Sequence, residues 1–227
     1  MFVLQMVADR RMAQVECETS DDITLVHRRA AGSFREYVQV KSTDRDKKWT
    51  FTELTDRDPS AKTRPTSIVE KSLLTDTDGD NARFRIVTRR PVNQTASALL
   101  DPVDKRATDG PVETLAAKLL AKHSGTKSAR GHDLAYWGRN AQWEVLPGVD
   151  HVELKNLQAI NTMAEVAGAN PTNSHVKAIY NDLLGIVDAA AVASRKTPEQ
   201  KTITREQAVA WWDKHLADTS AAQARTS

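Results

Sequence analysis

Two short stretches hold the residue types that metal-assisted phosphodiester hydrolysis uses. Glu16-Cys-Glu-Thr-Ser-Asp-Asp-Ile23 belongs to a run from Val15 to Asp22 with four acids and no base, and Gln39-Val-Lys41 follows. Carboxylate and amide oxygens hold a hard divalent cation, usually Mg²⁺, which keeps several waters and also takes a scissile phosphate. Such an ion lowers the pKa of a coordinated water and offsets charge developing on the phosphate oxygens. A nearby lysine positions or polarises the attacking water. Asp22 and the Gln39 side-chain oxygen are therefore the expected ligands, Glu18 or Glu16 completes the set, and Lys41 serves the water. Mg²⁺ is the expected cofactor, with Mn²⁺ as a substitute.

Those side chains need elements to hold them. Val15-Glu-Cys-Glu18 alternates with period two, which puts Glu16 and Glu18 on one face and Val15 and Cys17 on the other. Thr19–Asp22 is turn chemistry, Ile23–Val26 is apolar and β-branched, and Gly32-Ser33 is a second turn signal before a strand over Phe34–Lys41. On that strand Gln39 and Lys41 share a face, with Val38 and Val40 opposite. A lysine so placed costs energy unless something negative faces it, and Asp22, opening the adjacent antiparallel strand, is the candidate. Trp49–Leu54 reads as a loop or short element. Thr66–Leu74 reads as a helix with Ile68, Val69 and Leu73 inward, and Phe84–Thr88 as a strand stopped by Pro91.

The second half reads as helical. Gly110-Pro111 opens a helix whose Val112, Leu115, Ala116, Leu119 and Leu120 fall on one face. Within His175–Ala193, the residues Val176, Ile179, Tyr180, Leu183, Leu184 and Val187 follow helical spacing. A capping box, Thr204-Arg-Glu-Gln207, starts a last helix with Ala208, Trp211 and Trp212 inward, one of the two tryptophans being a candidate subunit contact. Residues after Leu216 read as a fraying tail.

Composition narrows the classes. The 227 residues are 40% hydrophobic, enough for a real core. No apolar run approaches the ~20 residues of a membrane span, and Asp9, Arg10 and Arg11 end the first run too soon for a signal peptide. A single cysteine, Cys17, excludes an internal disulfide and fits a reducing compartment, so a cytoplasmic location without membrane is expected. The net charge of +2 conceals an asymmetry: His27 to Arg90 carries 15 Lys/Arg against 10 Asp/Glu. An acidic knot beside a basic stretch suits a divalent cation bound next to a polyanion, and Arg28, Arg29, Lys47, Lys48, Arg89 and Arg90 are candidate phosphate contacts. Asp76-Thr-Asp-Gly-Asp80 departs from a calcium loop in its glycine position and in Val87 at the closing carboxylate, and reads as a turn. The histidines lack zinc spacing, and no nucleophile elbow is present.

Glu18-Thr-Ser-Asp-Asp-Ile23, Tyr37-Val-Gln-Val-Lys-Ser42 and Phe84-Arg-Ile-Val-Thr88 together resemble the PD-(D/E)xK restriction-endonuclease-like superfamily in its Gln-x-Lys variant. Within it they are similar to the Cap4-type dsDNA endonuclease domain, the nuclease effector of several bacterial anti-phage systems. The resemblance implies an α/β fold: a restriction-endonuclease-like mixed central sheet with flanking helices, followed by a helical subdomain. It divides the chain into a nuclease core at 1–105, a helical subdomain at 106–217 and a flexible tail at 218–227. Asp22 takes the place of the motif aspartate, Gln39 the variable position, Lys41 the lysine, and Glu18 an upstream acid with Glu16 as its stand-in. Two departures stand out. Superfamily members often carry an acid on the helix before the first strand, where only Gln5 and Asp9 are available here. The sensor usually joined to this domain is also missing from these 227 residues. The resemblance therefore implies a double-stranded DNA endonuclease of little base specificity, acting as a homo-oligomer. Its trigger would be self-assembly, a separate activating subunit (an ATPase, an SMC-like protein or a cyclic-nucleotide sensor), or a fused region not included in these residues. The neutral Gln39 and the missing helix acid define the alternative, a catalytically degenerate subunit serving as scaffold or DNA-binding module.

Overall fold

The computed structural model describes residues 1–18, 22–30, 32–43, 47–61, 64–77, 81–107, 109–194 and 196–224. The chain forms two compact units, one of Met1–Thr19, Thr24–Ala30 and Gly148–Ser227, the other of Ser20–Ile23 and Ala31–Pro147. These units cut across the sequence division at 105/106, because strands from distant parts of the chain pair within each of them.

In the second unit, β3 (Gly32–Lys41), β4 (Asn81–Thr88) and β5 (Ala141–Val145) lie side by side and parallel. Parallel neighbours need crossovers. The first is α2 (Phe51–Thr55) with α3 (Ile68–Leu74), and the second is α4 (Pro111–Lys122) with α5 (Leu134–Asn140). Thr50 and Ser67 start α2 and α3 through capping boxes with Glu53 and Glu70, so the stretch expected as a loop or short element is a capped helical turn.

The register pairs Tyr37 with Phe84, Gln39 with Ile86 and Lys41 with Thr88. Tyr37, Phe84, Ile86, Ala141 and Trp143 join Val69 and Leu73 of α3, Leu115 and Leu119 of α4, and Leu134 and Trp137 of α5 in one core. Three of the large polar-tipped rings in or against this core find partners. Trp137 Nε1–H donates to Ser72 Oγ at 3.0 Å, Trp143 Nε1–H to the Arg90 carbonyl at 2.9 Å, and Tyr136 Oη–H to the Ala82 carbonyl at 2.9 Å. On the opposite face Arg85 pairs with Glu36 at 2.8 Å and with Glu144 at 3.0 Å.

In the first unit β2 (Ile23–Arg29), β1 (Met12–Cys17) and β6 (Thr202–Thr204) are neighbours in that order, β1 and β6 antiparallel with Val15 opposite Ile203. Around them lie α1 (Phe2–Ala8), α6 (Val149–Val166), α7 (Asn173–Val192) and α8 (Arg205–Ala224). The stretch expected to be purely helical thus also supplies β5 and β6. The capping box at Thr204 is formed, but α8 continues to Ala224, where a tail from residue 218 was expected. Thr219 is buried on it. Trp211 and Trp212 are both buried, and Trp211 Nε1–H donates to Asp182 Oδ2 of α7 at 2.8 Å, so neither is left over for a subunit contact. The inward face of α7 is also narrower than its spacing suggests: Val176, Ile179, Tyr180 and Leu183 are buried and Leu184 is exposed. The result is an α/β fold with mixed strands and flanking helices. Among the described residues no helix is long and apolar enough to cross a membrane.

Candidate active site

The C-terminal end of β3 carries both residues of the Gln-x-Lys pair. Strand alternation places Gln39 on the same side as Tyr37, toward the core, and Gln39 is buried at 5% exposure. Among the described residues its side-chain Oε1 is buried with no hydrogen-bond partner. An orphaned acceptor of this kind costs about 1–3 kcal/mol, a cost that a ligand from outside the chain would offset. Lys41, two residues on, is half-buried at the strand end. Val38 on the other face is fully buried, whereas Val40 is 48% exposed.

Asp22, the residue directly before β2, reaches this strand end. Its Oδ2 accepts the main-chain N–H of Val40 at 2.7 Å, which brings a carboxylate to the peptide between Gln39 and Lys41. The structure therefore gathers Asp22, Gln39 and Lys41 within one unit. A carboxylate and a donorless amide oxygen fit the oxygen preference of a hard divalent cation. Among the described residues no three His, Cys, Asp or Glu side chains come together as a metal cluster.

Glu16 and Glu18 belong to the other unit. Val15 and Cys17 are buried as the alternation requires, and Glu16 is half-buried. Glu18 lies one residue past β1 with φ of +50°, the left-handed region, so period two no longer assigns its face. Of the neighbouring acids Asp21 lies outside the described residues. Asp9, offered as the helix acid, is held by Arg11 through Nε–Oδ1 at 3.0 Å and Nη2–Oδ2 at 2.9 Å, and the same guanidinium keeps its carboxyl below the usual range.

The basic candidates separate. Lys47, Lys48 and Arg89 are exposed, Arg28 is exposed in the first unit, and the Arg29 side chain lies outside the described residues. Arg90 differs from all of them: it is 4% exposed, and its guanidinium faces protein acceptors. It donates through Nε to the Lys47 carbonyl, and through Nη2 to the Lys48 carbonyl at 3.3 Å and to Glu53 Oε1 at 3.4 Å. Through Nη1 it reaches Thr43 Oγ1 at 3.3 Å, and it lies 4.3 Å from the Trp49 ring centroid. A direct phosphate contact from this side chain does not fit that burial.

Two further carboxylates are buried away from Asp22, Glu70 with no role assigned from sequence and Asp76 assigned only to a turn. Glu70, fully buried on α3, is gripped by Arg57 at 2.5 Å, Thr126 Oγ1 at 2.6 Å and Ser67 Oγ at 2.8 Å. Burial alone would raise its pKa, but those donors take it down to about 2. Asp76, also fully buried, accepts Ser128 Oγ–H at 2.7 Å and meets His132 Nδ1 at 2.7 Å. It is therefore an anchor for the segment between α4 and α5, while residues 78–80 of the calcium-loop-like stretch lie outside the described residues. Ser67-Ile-Val-Glu70 was legible as a capping box; the partners at Arg57 and Thr126 were not, because they come from other elements.

Residues 1–191 match the family of the Cap4 dsDNA endonuclease domain. Over 224 residues the chain is 25% identical to anti-bacteriophage protein A of Escherichia coli (strain K12), covering 95% of this chain and 41% of that protein. Its fold is similar to the Cap4 SAVED/CARF-domain containing receptor of Acinetobacter baumannii, solved with the cyclic trinucleotide 3'3'3'-cAAA. The TM-score is 0.55 at 16% identity, over 97% of this chain and 44% of that one. The corresponding Moraxella osloensis receptor gives a TM-score of 0.50 at 14% identity, over 96% and 46%. The chain thus spans less than half the length of each of these relatives.

Proposed function

The chain belongs to the Cap4 dsDNA endonuclease domain family, and from that premise we propose that it hydrolyses phosphodiester bonds of double-stranded DNA, with a divalent cation, in bacterial defence against phage. One observation carries the metal reading: the buried, donorless Gln39 oxygen sits one residue from the peptide that holds the Asp22 carboxylate. Asp22 and Gln39 would hold Mg²⁺, or Mn²⁺ in its place. When bound, the ion lowers the pKa of a coordinated water and offsets charge on the scissile phosphate. With Gln39 neutral, Asp22 supplies the full negative charge of this pair. Lys41, next along the strand, orients the attacking water and meets the charge that builds on the phosphate oxygens in the transition state.

An endonuclease with little base preference has to be restrained, and we place its activation at assembly, since two copies put one site on each strand of a duplex. The SAVED/CARF-containing Acinetobacter relative, solved with a cyclic trinucleotide, supports a cyclic-nucleotide sensor as the trigger ahead of an ATPase or SMC-like subunit. A DNA substrate of this kind places the activity in the cytoplasm.

Plasmid incubated with the activated protein and Mg²⁺ is expected to be cut, and Lys41→Ala to abolish cutting with the circular-dichroism spectrum unchanged. Undiminished cleavage by Lys41→Ala would refute the assignment. The neutral Gln39, together with Asp9 tied to Arg11, favours one second reading, a degenerate nuclease fold used as scaffold or DNA-binding module. Calorimetric titration separates the two, because a degenerate site takes up neither Mg²⁺ nor Mn²⁺ at millimolar concentration.

A further inference from the structure

Arg90 is the most heavily committed cation near the strand end, and nothing in the hydrolytic chemistry uses it directly. We propose that it is a positioning residue for DNA: its buried guanidinium fixes the main chain at Lys47 and Lys48 so that their ammonium groups engage the duplex backbone beside Asp22, Gln39 and Lys41. This rests on the nuclease reading and adds to it the element that grips substrate.

The geometry has three parts. First, the β3–β4 register sets Lys41 opposite Thr88, and Thr88 Oγ1 accepts both the Arg90 N–H and Trp49 Nε1–H at 3.3 Å. The residue that faces Lys41 across the ladder thus anchors both Arg90 and the ring it lies against. Second, the Arg90 guanidinium binds both ends of the segment after β3: Thr43 Oγ1 two residues beyond Lys41, and the carbonyls of Lys47 and Lys48 at the far end. Trp49 closes that end by donating its N–H to the Pro91 carbonyl at 2.9 Å and accepting from Asn93 N–H at 2.8 Å. With the Lys47 and Lys48 carbonyls turned to Arg90, both side chains remain exposed. Third, the buried charge is mostly solvated by neutral oxygens. Its carboxylate partner, Glu53 Oε1, is distant at 3.4 Å, and Glu53 Oε2 is taken by the Thr50 N–H at 2.8 Å and hydroxyl at 3.0 Å. A positive charge under two exposed ammonium groups makes a local field that suits a polyanion. Lysine cannot replace this arginine, since only a planar fork reaches several acceptors at once.

The test is a double-mutant cycle on binding, read by fluorescence anisotropy of a short duplex in EDTA across a salt series, so that no cleavage is needed. Lys47→Ala with Lys48→Ala is expected to flatten the slope of log K against log salt by about 1.8, at ~0.9 for each phosphate no longer neutralised. Arg90→Lys, which keeps the charge, is expected to flatten it comparably, and to add less than about twofold in affinity when both lysines are already gone. In cleavage assays the half-saturating DNA concentration should rise several-fold more than the saturated rate falls. If Arg90→Lys does not fold, Thr43→Val, which removes one acceptor of the guanidinium, takes its place in the cycle. Losses that multiply across the cycle, or a wild-type salt slope in the double-lysine variant, overturn the proposal while leaving a protein that binds and cuts DNA. A wild-type chain that binds no duplex would instead sink the nuclease reading itself.

Discussion

The carboxylate of Asp22 and the main-chain N–H of Val40 are joined by a hydrogen bond of 2.7 Å, and Val40 is the residue that separates Gln39 from Lys41. A side chain from the residue before β2 is thereby tied to the middle of a three-residue motif, and the tie has both a structural and a charge component. Asparagine retains the acceptor oxygen and removes the charge. Asp22→Asn is therefore expected to melt within about 2 °C of wild type and to lose cutting by about 100-fold, the upper range for disturbed metal support. Asp22→Ala should lose the cutting and, in addition, about 1 kcal/mol of stability for the hydrogen bond. Plasmid linearisation and thermal melting read the two effects; cutting by Asp22→Asn at the wild-type rate would reduce the carboxylate to a strap.

The orphaned Gln39 oxygen makes an opposite prediction for a gain of charge. Gln39→Glu buries a carboxylate at a position already without a donor, so in EDTA it should cost about 2 kcal/mol. Millimolar Mg²⁺ should restore that loss and raise the melting temperature of Gln39→Glu by more than it raises that of the wild type. Equal shifts in the two proteins would mean that the oxygen does not face a cation.

Glu70 sets an acid limit on the second unit. Its pKa of about 2 lies below its ordinary value of 4.5, so its contribution is complete above pH 4.5 and is lost as the pH falls from there toward 2. Glu70→Gln leaves the part-exposed Arg57 without its carboxylate and should cost about 1–3 kcal/mol at neutral pH, the range for a lost charge-assisted hydrogen bond. The variant's stability should also vary less with pH across that window, which denaturant titrations at pH 5 and pH 3 would reveal.

Close packing of α4 on α5 depends on Gly138. A Cβ there would stand 3.1 Å from Leu119 Cδ1 and 3.2 Å from Ala116 Cα, and the second of these is main chain that cannot swing aside. Gly138→Ala is expected to destabilise by about 1–2 kcal/mol despite its better helix propensity, measured by urea unfolding.

The strand that carries the motif was legible because its signal is local, the alternation over Phe34–Lys41. β3 nevertheless already begins at Gly32, where Gly32-Ser33 reads as a turn, and Thr19, Ser20 and Asp21 of the other expected turn lie outside the described residues. Other elements have no local signature. Leu134–Asn140 passes straight from helix into the strand Ala141–Val145 without a glycine or proline at the junction. Thr202–Thr204 is a strand only because β1 pairs with it. The buried positions of α6 include Asn156 beside Ile160 and Ala164, while Val149, Leu154 and Val166 are exposed, so hydrophobic periodicity points away from its inner face. At the site, Asp22, Gln39 and Lys41 could be picked out by type and strand period. Arg89 and Arg90 could not be told apart, because the difference lies in carbonyls that tertiary folding brings to one of them.

The pairs from Arg85 to Glu36 and Glu144 lie on the far side of the three parallel strands from the core, yet they bear on the proposed site. Side chains alternate between faces, so a slip of β4 by one residue would drive Arg85 into the layer of Tyr37 and Trp143 and strand two carboxylates without a cation. Burial works against the Arg85 charge, and the two acids hold its pKa above the usual value nonetheless. A misaligned ladder is thus penalised electrostatically from one surface, and the alignment protected in this way is the one that sets Gln39 beside Ile86 and Lys41 beside Thr88. Fidelity of strand alignment during folding is, in this protein, a condition for assembling the proposed site.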